Sequence, residues 1–413
     1  MPYNLASHLH LRRHRHRTLA TLVTVLWSLQ ALAAPDDALR REGVRLLGGI
    51  GWAHDDNLLR VADDAQPFGG RRGDSYRTLD AGVAYDKTIS RQRIAATARV
   101  SQVRFDHFDQ LDYDGRDLQA SWLWEAGTRL EGRAEALYVK TLAPYTDFDS
   151  DARNLRRQRR QFIDAGVKLH PGWKLRVGAL RDKFTYELPV QRYNDRTEKS
   201  YEAELSYTPR SGSSVGIVVR RIKGAYPNRR PYAGGVLFDD FTQDELKARI
   251  EWLASGSTTV QALAGHVRRE QPSYGAGSTS GLNGRITVLY SPRGKIGYGA
   301  AVWREFTPIE SPGVSTTLNK GASVRATWDA TDRIEVEASA TYEKRDYTAR
   351  AVLAGATGLS DAIRSASVRA LWQVRPKVQV VASYAYQARS GSPVLGTGRF
   401  DANVMQVGAN VLF

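Results

Sequence analysis

The stretch RIEVEASATY at 333–342 alternates apolar and polar side chains without interruption. Successive side chains of a β-strand point to opposite faces, so this pattern predicts a strand with one apolar and one charged face. The same alternation occurs at 245–252 and 377–389. Each such run lasts about 11–14 residues, longer than the strands usual in soluble sheets and long enough for a tilted strand to cross a bilayer.

Runs of this kind fill the chain after residue 42. Eighteen can be placed, an even number, as expected for a bacterial single-chain barrel with both termini on the periplasmic side. They fall near 43–54, 76–87, 92–104, 114–126, 129–141, 159–170, 173–186, 197–208, 213–224, 240–254, 258–269, 279–291, 294–306, 317–328, 332–346, 362–375, 377–389 and 401–413. The prediction is an all-β fold, a transmembrane antiparallel up-and-down β-barrel of about 18 strands over 43–413.

The connections between these runs alternate in length. Short turns, for example at 127–128 and 171–172, separate long polar loops such as 55–75 and 142–158. Outer-membrane barrels have short periplasmic turns and long outer loops. A β-propeller is the rival, because hairpins recur about every 40 residues; a blade, however, has four short strands per repeat rather than two long ones.

The N-terminus has the features of a secretory signal. Four arginines precede the apolar run 19–29, and small residues follow at 31–33. We predict a signal peptide over 1–33 with cleavage near Ala33, a short periplasmic segment over 34–42, and location in the outer membrane of a Gram-negative bacterium. A retained membrane anchor is the alternative, although the run is shorter than the ~20 residues of a spanning helix. Removal of 1–33 lowers the formal net charge from +15 to +11. An exported chain does not normally meet nucleic acid, so none is expected as a partner.

Sequence motifs for chemistry are sparse. The chain has no cysteine, which excludes disulfides, Cys-ligated metals and a lipoprotein anchor. The histidines after the signal lie far apart, without metal-ligand spacing. We expect no catalytic residues, no metal and no cofactor, and a chain that is not an enzyme. A barrel-embedded enzyme remains the alternative, since it would need only a few loop residues.

Charged side chains fall on the face opposite the apolar one, which predicts a hydrated lumen. Alternation directs eight basic residues there as candidates for an anion path. They are Arg99, Arg133, Arg176, Lys247, Arg249, Arg325, Arg369 and Lys377. The alternative is that these charges only pair with carboxylates on neighbouring strands.

A basic cluster, Arg156, Arg157, Arg159 and Arg160, is predicted to lie in an outer loop. It would either contact lipopolysaccharide phosphates or attract an anionic solute.

The final strand alternates apolar side chains up to an aromatic residue, a pattern like the signal that the barrel-assembly machinery reads. Its residues are Met405, Val407, Ala409, Val411 and Phe413.

Several short segments resemble the EpsL family of β-barrel porins, which are encoded in exopolysaccharide operons of exosortase-containing bacteria. They are 55–60 (DDNLLR), 90–93 (SRQR), 111–115 (LDYDG), 122–127 (WLWEAG) and 156–159 (RRQR). The resemblance implies a role in exporting exopolysaccharide and implies no catalysis. Within it, 55–57 is expected to be a strand-end turn, with calcium or sugar binding as the alternative.

Three functions therefore remain open. The first is a polysaccharide export channel that works with periplasmic and inner-membrane proteins. The second is a general or anion-preferring diffusion porin, which a long inward-folding loop would favour because it narrows the pore. The third is a non-conducting barrel that anchors material at the surface. Outer-membrane lipids, lipopolysaccharide and the assembly machinery are expected partners of all three.

Overall fold

The computed structural model describes residues 42–147, 150–232, 235–237, 239–271, 278–307, 314–349, 359–392 and 397–413. The predicted signal peptide and nearly all of the segment after it lie outside these ranges. The strands are β1 (Gly43–Asp55), β2 (Asp74–Ile89), β3 (Gln92–Phe105), β4 (Tyr113–Ala126), β5 (Leu130–Leu142), β6 (Leu155–His170), β7 (Trp173–Tyr186), β8 (Arg196–Tyr207), β9 (Ser214–Ala225), β10 (Arg230–Tyr232), β11 (Gly235–Leu237), β12 (Phe241–Leu253), β13 (Thr258–Glu270), β14 (Ser278–Tyr290), β15 (Ile296–Thr307), β16 (Val314–Thr331), β17 (Ile334–Ala349), β18 (Ser360–Arg375), β19 (Val378–Arg389) and β20 (Phe400–Leu412). Four short 3-10 segments lie between strands, at Phe68–Gly70, Asp109–Leu111, Tyr145–Asp147 and Pro189–Asn194.

Eighteen strands form one antiparallel sheet that closes on itself; β10 and β11 form a separate small hairpin. Each barrel strand pairs with its neighbours in the chain, with β9 beside β12. The ring closes where β1 pairs with β20, from Leu47 opposite Leu412 to Asp55 opposite Val404. The prediction of a closed 18-stranded barrel is confirmed.

The two faces of the wall differ as the alternation predicts. Along β12, Leu246 and Trp252 on the outward face are 58% and 56% exposed, whereas Lys247 and Arg249 on the inward face are each 8% exposed. An apolar outer band with a polar interior is the arrangement of a barrel in lipid. No helix within the described ranges is long and apolar enough to cross a membrane.

The ends of the barrel also differ. Short turns close one end, and in the turn between β6 and β7 Gly172 has a φ of +85°, a conformation that favours glycine. The long connections all lie at the other end. Three of these loops are named here by their described residues: loop 1 (56–73), loop 2 (106–112) and loop 3 (143–147 and 150–154).

Candidate channel lumen

The inward face carries seven of the eight predicted lumen residues. Arg99, Arg325 and Arg369 alternate with the outward-facing Val100, Val324 and Val368, which are all exposed. The same alternation places the other four inward, namely Arg133, Arg176, Lys247 and Arg249.

Two predictions about basic residues are corrected. Lys377 is an exposed residue of the turn between β18 and β19, not of the wall. The cluster 156–160 lies within β6 rather than in a loop, because β6 begins at Leu155. Its members therefore divide between the two faces: Arg156 and Arg160 point inward, and Arg157 and Arg159 point outward.

On β5, β6 and β7 the inward cations surround two carboxylates. Glu131 lies 2.6 Å from the Lys174 ammonium and 3.0 Å from the Arg176 guanidinium. Arg176 also lies 3.0 Å from Asp164, and Arg133 contacts Asp164 at 3.3 Å. Each cation is thus held beside a carboxylate one or two strands away.

A second network continues round the wall on β8, β9 and β12. Arg220 forms ion pairs with Glu202 and, at 3.1 Å, with Glu245. Lys247 lies 2.9 Å from Glu245, and Arg249 forms an ion pair with Glu204. The two networks adjoin, because Arg176 of β7 is directly opposite Glu204 of β8.

From β13 onward round the ring, ion pairs on the inward face become fewer and neutral side chains more frequent. Arg325 pairs with Glu337 at 3.0 Å, and Arg285 with Glu305 at 3.2 Å. Beyond them charged residues are interspersed with small ones, as at the Arg345–Asp361 pair of β17 and β18 (2.9 Å) and at Ser339 and Ser367, whose hydroxyls lie 2.8 Å apart. Ion pairs on the lumen face are therefore densest on the β5–β12 side.

The ion pairs bear on the two interpretations of the lumen charges. Most of the predicted anion-path residues have a carboxylate partner, as expected if the charges stabilise the wall. Paired charges largely cancel one another's field beyond a few ångströms, so the basic residues do not by themselves make the lumen positive.

Loops 1, 2 and 3 meet at the extracellular mouth in an apolar cluster. It contains Leu59, Val61, Val103, Phe105, Phe108, Leu111, Tyr113, Tyr145 and Leu155, all buried. Val103, Phe105 and Tyr113 are inward-facing strand residues, so the cluster lies against the inner surface of the mouth. Burial raises the pKa of the Tyr145 phenol, whose hydroxyl donates to the Ala152 carbonyl at 2.8 Å.

Loop 3 extends from this cluster towards a distant part of the ring. The Arg389 guanidinium, on β19, donates to the Thr146 carbonyl, although β20 and β1 to β4 lie between β19 and β5. Asp361 fixes Arg389 at 2.5 Å and also pairs with Arg345 at 2.9 Å. Loop 3 therefore folds inward over the mouth and is anchored at both sides.

The 55–57 motif forms the turn that begins loop 1. The Asn57 backbone N–H donates to Asp55 at 3.0 Å, and the Asn57 side chain accepts from the Val61 N–H at 2.9 Å. Asp56 accepts from the Asn403 backbone N–H at 2.7 Å, which ties loop 1 to β20. These contacts fit the strand-end turn, and these side chains serve the fold of the loop.

Sequence reasoning missed the apolar cluster. A signal was present, since Leu58, Leu59, Phe108 and Leu111 are unusual in otherwise polar loops. Nothing in the sequence, however, indicated that three separate loops would pack together. Among the described residues no group of His, Asp and Glu side chains could hold a metal ion.

Residues 240–413 match the family model described as "Putative beta-barrel porin 2". No curated protein matches the chain. Among solved structures, OccK2 (OpdF) of Pseudomonas aeruginosa in complex with glucuronate is 11% identical, with 90% of this chain and 98% of that chain covered and a TM-score of 0.47. The outer membrane protein OpdK of the same organism is 10% identical, with 90% and 99% covered and a TM-score of 0.46. The alcaligin outer membrane receptor FauA of Bordetella pertussis is 12% identical, with 89% and 76% covered and a TM-score of 0.42. The chain is a porin-like outer-membrane barrel, a fold typical of channels rather than enzymes.

Proposed function

We propose that this chain is a diffusion channel for small hydrophilic solutes. Eighteen closed strands leave an aqueous interior unless loops fill it. The ion pairs on the inward face require hydration, because charged groups are costly to bury in a dry interior even when paired. The apolar residues lie outward, where lipid covers them.

The inward fold of loop 3 is the observation that carries the proposal. Its contact with Arg389 and the apolar cluster beneath it narrow the extracellular mouth. A narrowed mouth suits small solutes better than a long polymer, and on this ground the geometry favours a diffusion porin over an export channel.

The wall chemistry indicates the class of solute. Guanidinium groups offer only donors and carboxylates only acceptors, and in the β5–β12 networks the two alternate at short range. Sugar hydroxyls both donate and accept, so they match such a surface. Small saccharides are therefore the solutes we propose.

Export of exopolysaccharide is the second candidate, and the sequence resemblance in the first half of the chain favours it. In that case loop 3 would have to move aside, and periplasmic and inner-membrane proteins would deliver the polymer.

Planar-bilayer recording and liposome swelling with mono-, di- and trisaccharides test the first proposal. We expect stable conductance and faster entry of monosaccharide than of trisaccharide. Absence of conductance in every state would support the non-conducting structural barrel instead.

A strain that lacks this protein tests the second candidate, since normal secretion of exopolysaccharide by that strain would exclude it.

A further inference from the structure

Basic residues also crowd the outer surface of the wall, at the loop end of β5 to β8. We call six of them the outer basic patch: Lys140, Arg157, Arg159, Arg181, Lys183 and Lys199. They share the face of the lipid-exposed Ile163 and Tyr201, which are 56% and 55% exposed.

The strand register places these like charges directly opposite one another. Lys140 faces Arg157, Arg159 faces Lys183, and Arg181 faces Lys199. The series continues on β9, where Lys223 faces Lys199. Opposed like charges on neighbouring strands destabilise a sheet.

The patch lacks the carboxylates that balance the lumen. Within the described part of the chain, Lys140, Arg157, Arg181 and Lys199 form no ion pair or hydrogen bond. The Arg159 guanidinium lies 5.7 Å from the centre of the Tyr138 ring. Some other anion is thus needed to offset the repulsion.

The height of the outer basic patch on the barrel wall indicates which anion offsets the repulsion. The outward residues nearer the short turns are apolar, such as Val177 on β7 and Leu205 on β8, and the basic residues follow directly above them. Acyl chains cover such an apolar band, and the phosphorylated headgroups of the same lipids lie at its upper edge. Five strands, β5 to β9, present a surface about 19 Å wide at ~4.8 Å per strand.

Two lysines at the same level elsewhere are balanced by a carboxylate within the chain. Lys320 lies 2.9 Å from Asp346 and Lys344 lies 3.7 Å from it, on β16 and β17. The unbalanced charge is therefore concentrated on one sector of the outer wall.

We propose that the outer basic patch binds a phosphorylated glycolipid of the outer leaflet. Its phosphates lie between the opposed cations of β5 to β9, and its acyl chains follow the apolar residues below. This inference does not depend on what passes through the lumen.

Native mass spectrometry of the purified barrel with lipid A tests the proposal. The neutralising variant is K140Q/K183Q/K199Q, the charge-preserving variant is K140R/K183R/K199R, and the matched control is K87Q/K320Q/K344Q, three outward lysines outside the patch. Because a basic side chain near an anionic lipid surface contributes about fivefold in affinity, we expect the neutralising variant to bind lipid A roughly a hundredfold more weakly. The other two variants should bind it as the unchanged protein does.

Two further probes identify the source of the phosphate. Dephosphorylated lipid A should not bind, and millimolar sodium pyrophosphate should not displace lipid A. Equal binding by the neutralising and control variants would overturn the proposal, as would equal binding of dephosphorylated lipid A. Full displacement by pyrophosphate would overturn it in favour of a soluble anion. Heat-modifiable migration on a gel checks that every variant is folded.

Discussion

Glu131 shows at the scale of one residue how the lumen is balanced. Its carboxylate lies within 3.6 Å of Lys168, Lys174 and Arg176, and its side chain is 9% exposed. The single negative charge of Glu131 thus offsets part of the positive charge of three side chains on β6 and β7. Its loss would leave an excess of positive charge at one point of the wall.

We predict that Glu131→Gln makes the channel more selective for anions and lowers the free energy of unfolding by about 1–3 kcal/mol, the usual cost of leaving buried polar partners unsatisfied. The reversal potential in a salt gradient measures the first effect and urea unfolding the second. Glu135→Gln is the control, because Glu135 is 45% exposed and, within the described residues, forms an ion pair with Arg133 alone, at 3.4 Å. Equal shifts in the two variants would contradict the network assigned to Glu131.

The sequence predicted the faces of these residues but not their partners. A period of two fixes the side on which Arg176 or Lys247 lies, whatever the register. Which carboxylate each cation contacts depends on the register between strands. Turn geometry and the stagger of neighbouring strands set that register. The Arg249–Glu204 pair, which joins β12 to β8 across β9, could not be inferred from alternation along one strand.

At the scale of elements, the start of β6 shows where alternating polarity no longer predicts a strand. Residues 156–160 lie above the apolar band, so both of their faces are polar and the segment looked like a loop. The strand nevertheless continues, because its backbone pairs with β5 and β7. Periodicity finds strands only where one face is apolar.

Loops 1 to 3 pack together at the mouth, so in the proposed channel they would limit access to the lumen. We predict that Leu111→Ala/Tyr145→Ala increases single-channel conductance and the entry of trisaccharide, because both side chains belong to the buried cluster that fixes loop 3. Single-channel recording and liposome swelling measure the two effects. Leu130→Ala is the control, since Leu130 is an exposed outward residue. Unchanged permeation in the double variant would show that loop 3 does not limit the pore.

The sheet closes into a barrel where β1 pairs with β20. Phe413 extends it, since its backbone N–H donates to Leu46 at 3.0 Å and its carbonyl accepts from Leu46 at 3.1 Å. Its side chain is 67% exposed and faces outward, in line with the predicted assembly series from Met405 to Val411.

We predict that Phe413→Asp leaves the protein exported but poorly inserted. A charge near the membrane interface costs only about 0–1 kcal/mol in folding, so the defect should appear in assembly rather than in the stability of barrels already formed. The fraction with heat-modifiable migration in membranes measures insertion, and Phe413→Trp is the control. Normal insertion of the Asp variant would contradict a role in recognition by the assembly machinery.

At the scale of the whole molecule, the positive charge of the chain is distributed unevenly. The formal net charge is +15, yet the inward cations of β5 to β12 are largely matched by carboxylates. Among the described residues, Lys140, Arg157, Arg181 and Lys199 of the outer basic patch have no such match. The net charge of the chain therefore gives no measure of the charge of the lumen.

We predict that the channel is only weakly ion-selective, because a permeating ion experiences the lumen wall rather than the outer surface. The outer patch is in contact with headgroups and electrolyte, which screen its charges within a Debye length, about 8 Å at physiological ionic strength. The variant K140Q/K183Q/K199Q should therefore leave the reversal potential unchanged although it removes three positive charges. Arg249→Gln, which leaves Glu204 without its partner, should shift the reversal potential towards cations. Recordings of both variants under the same salt gradient provide the comparison. Strong anion selectivity of the unchanged protein, lost on neutralising the outer patch, would show that the patch rather than the lumen controls permeation.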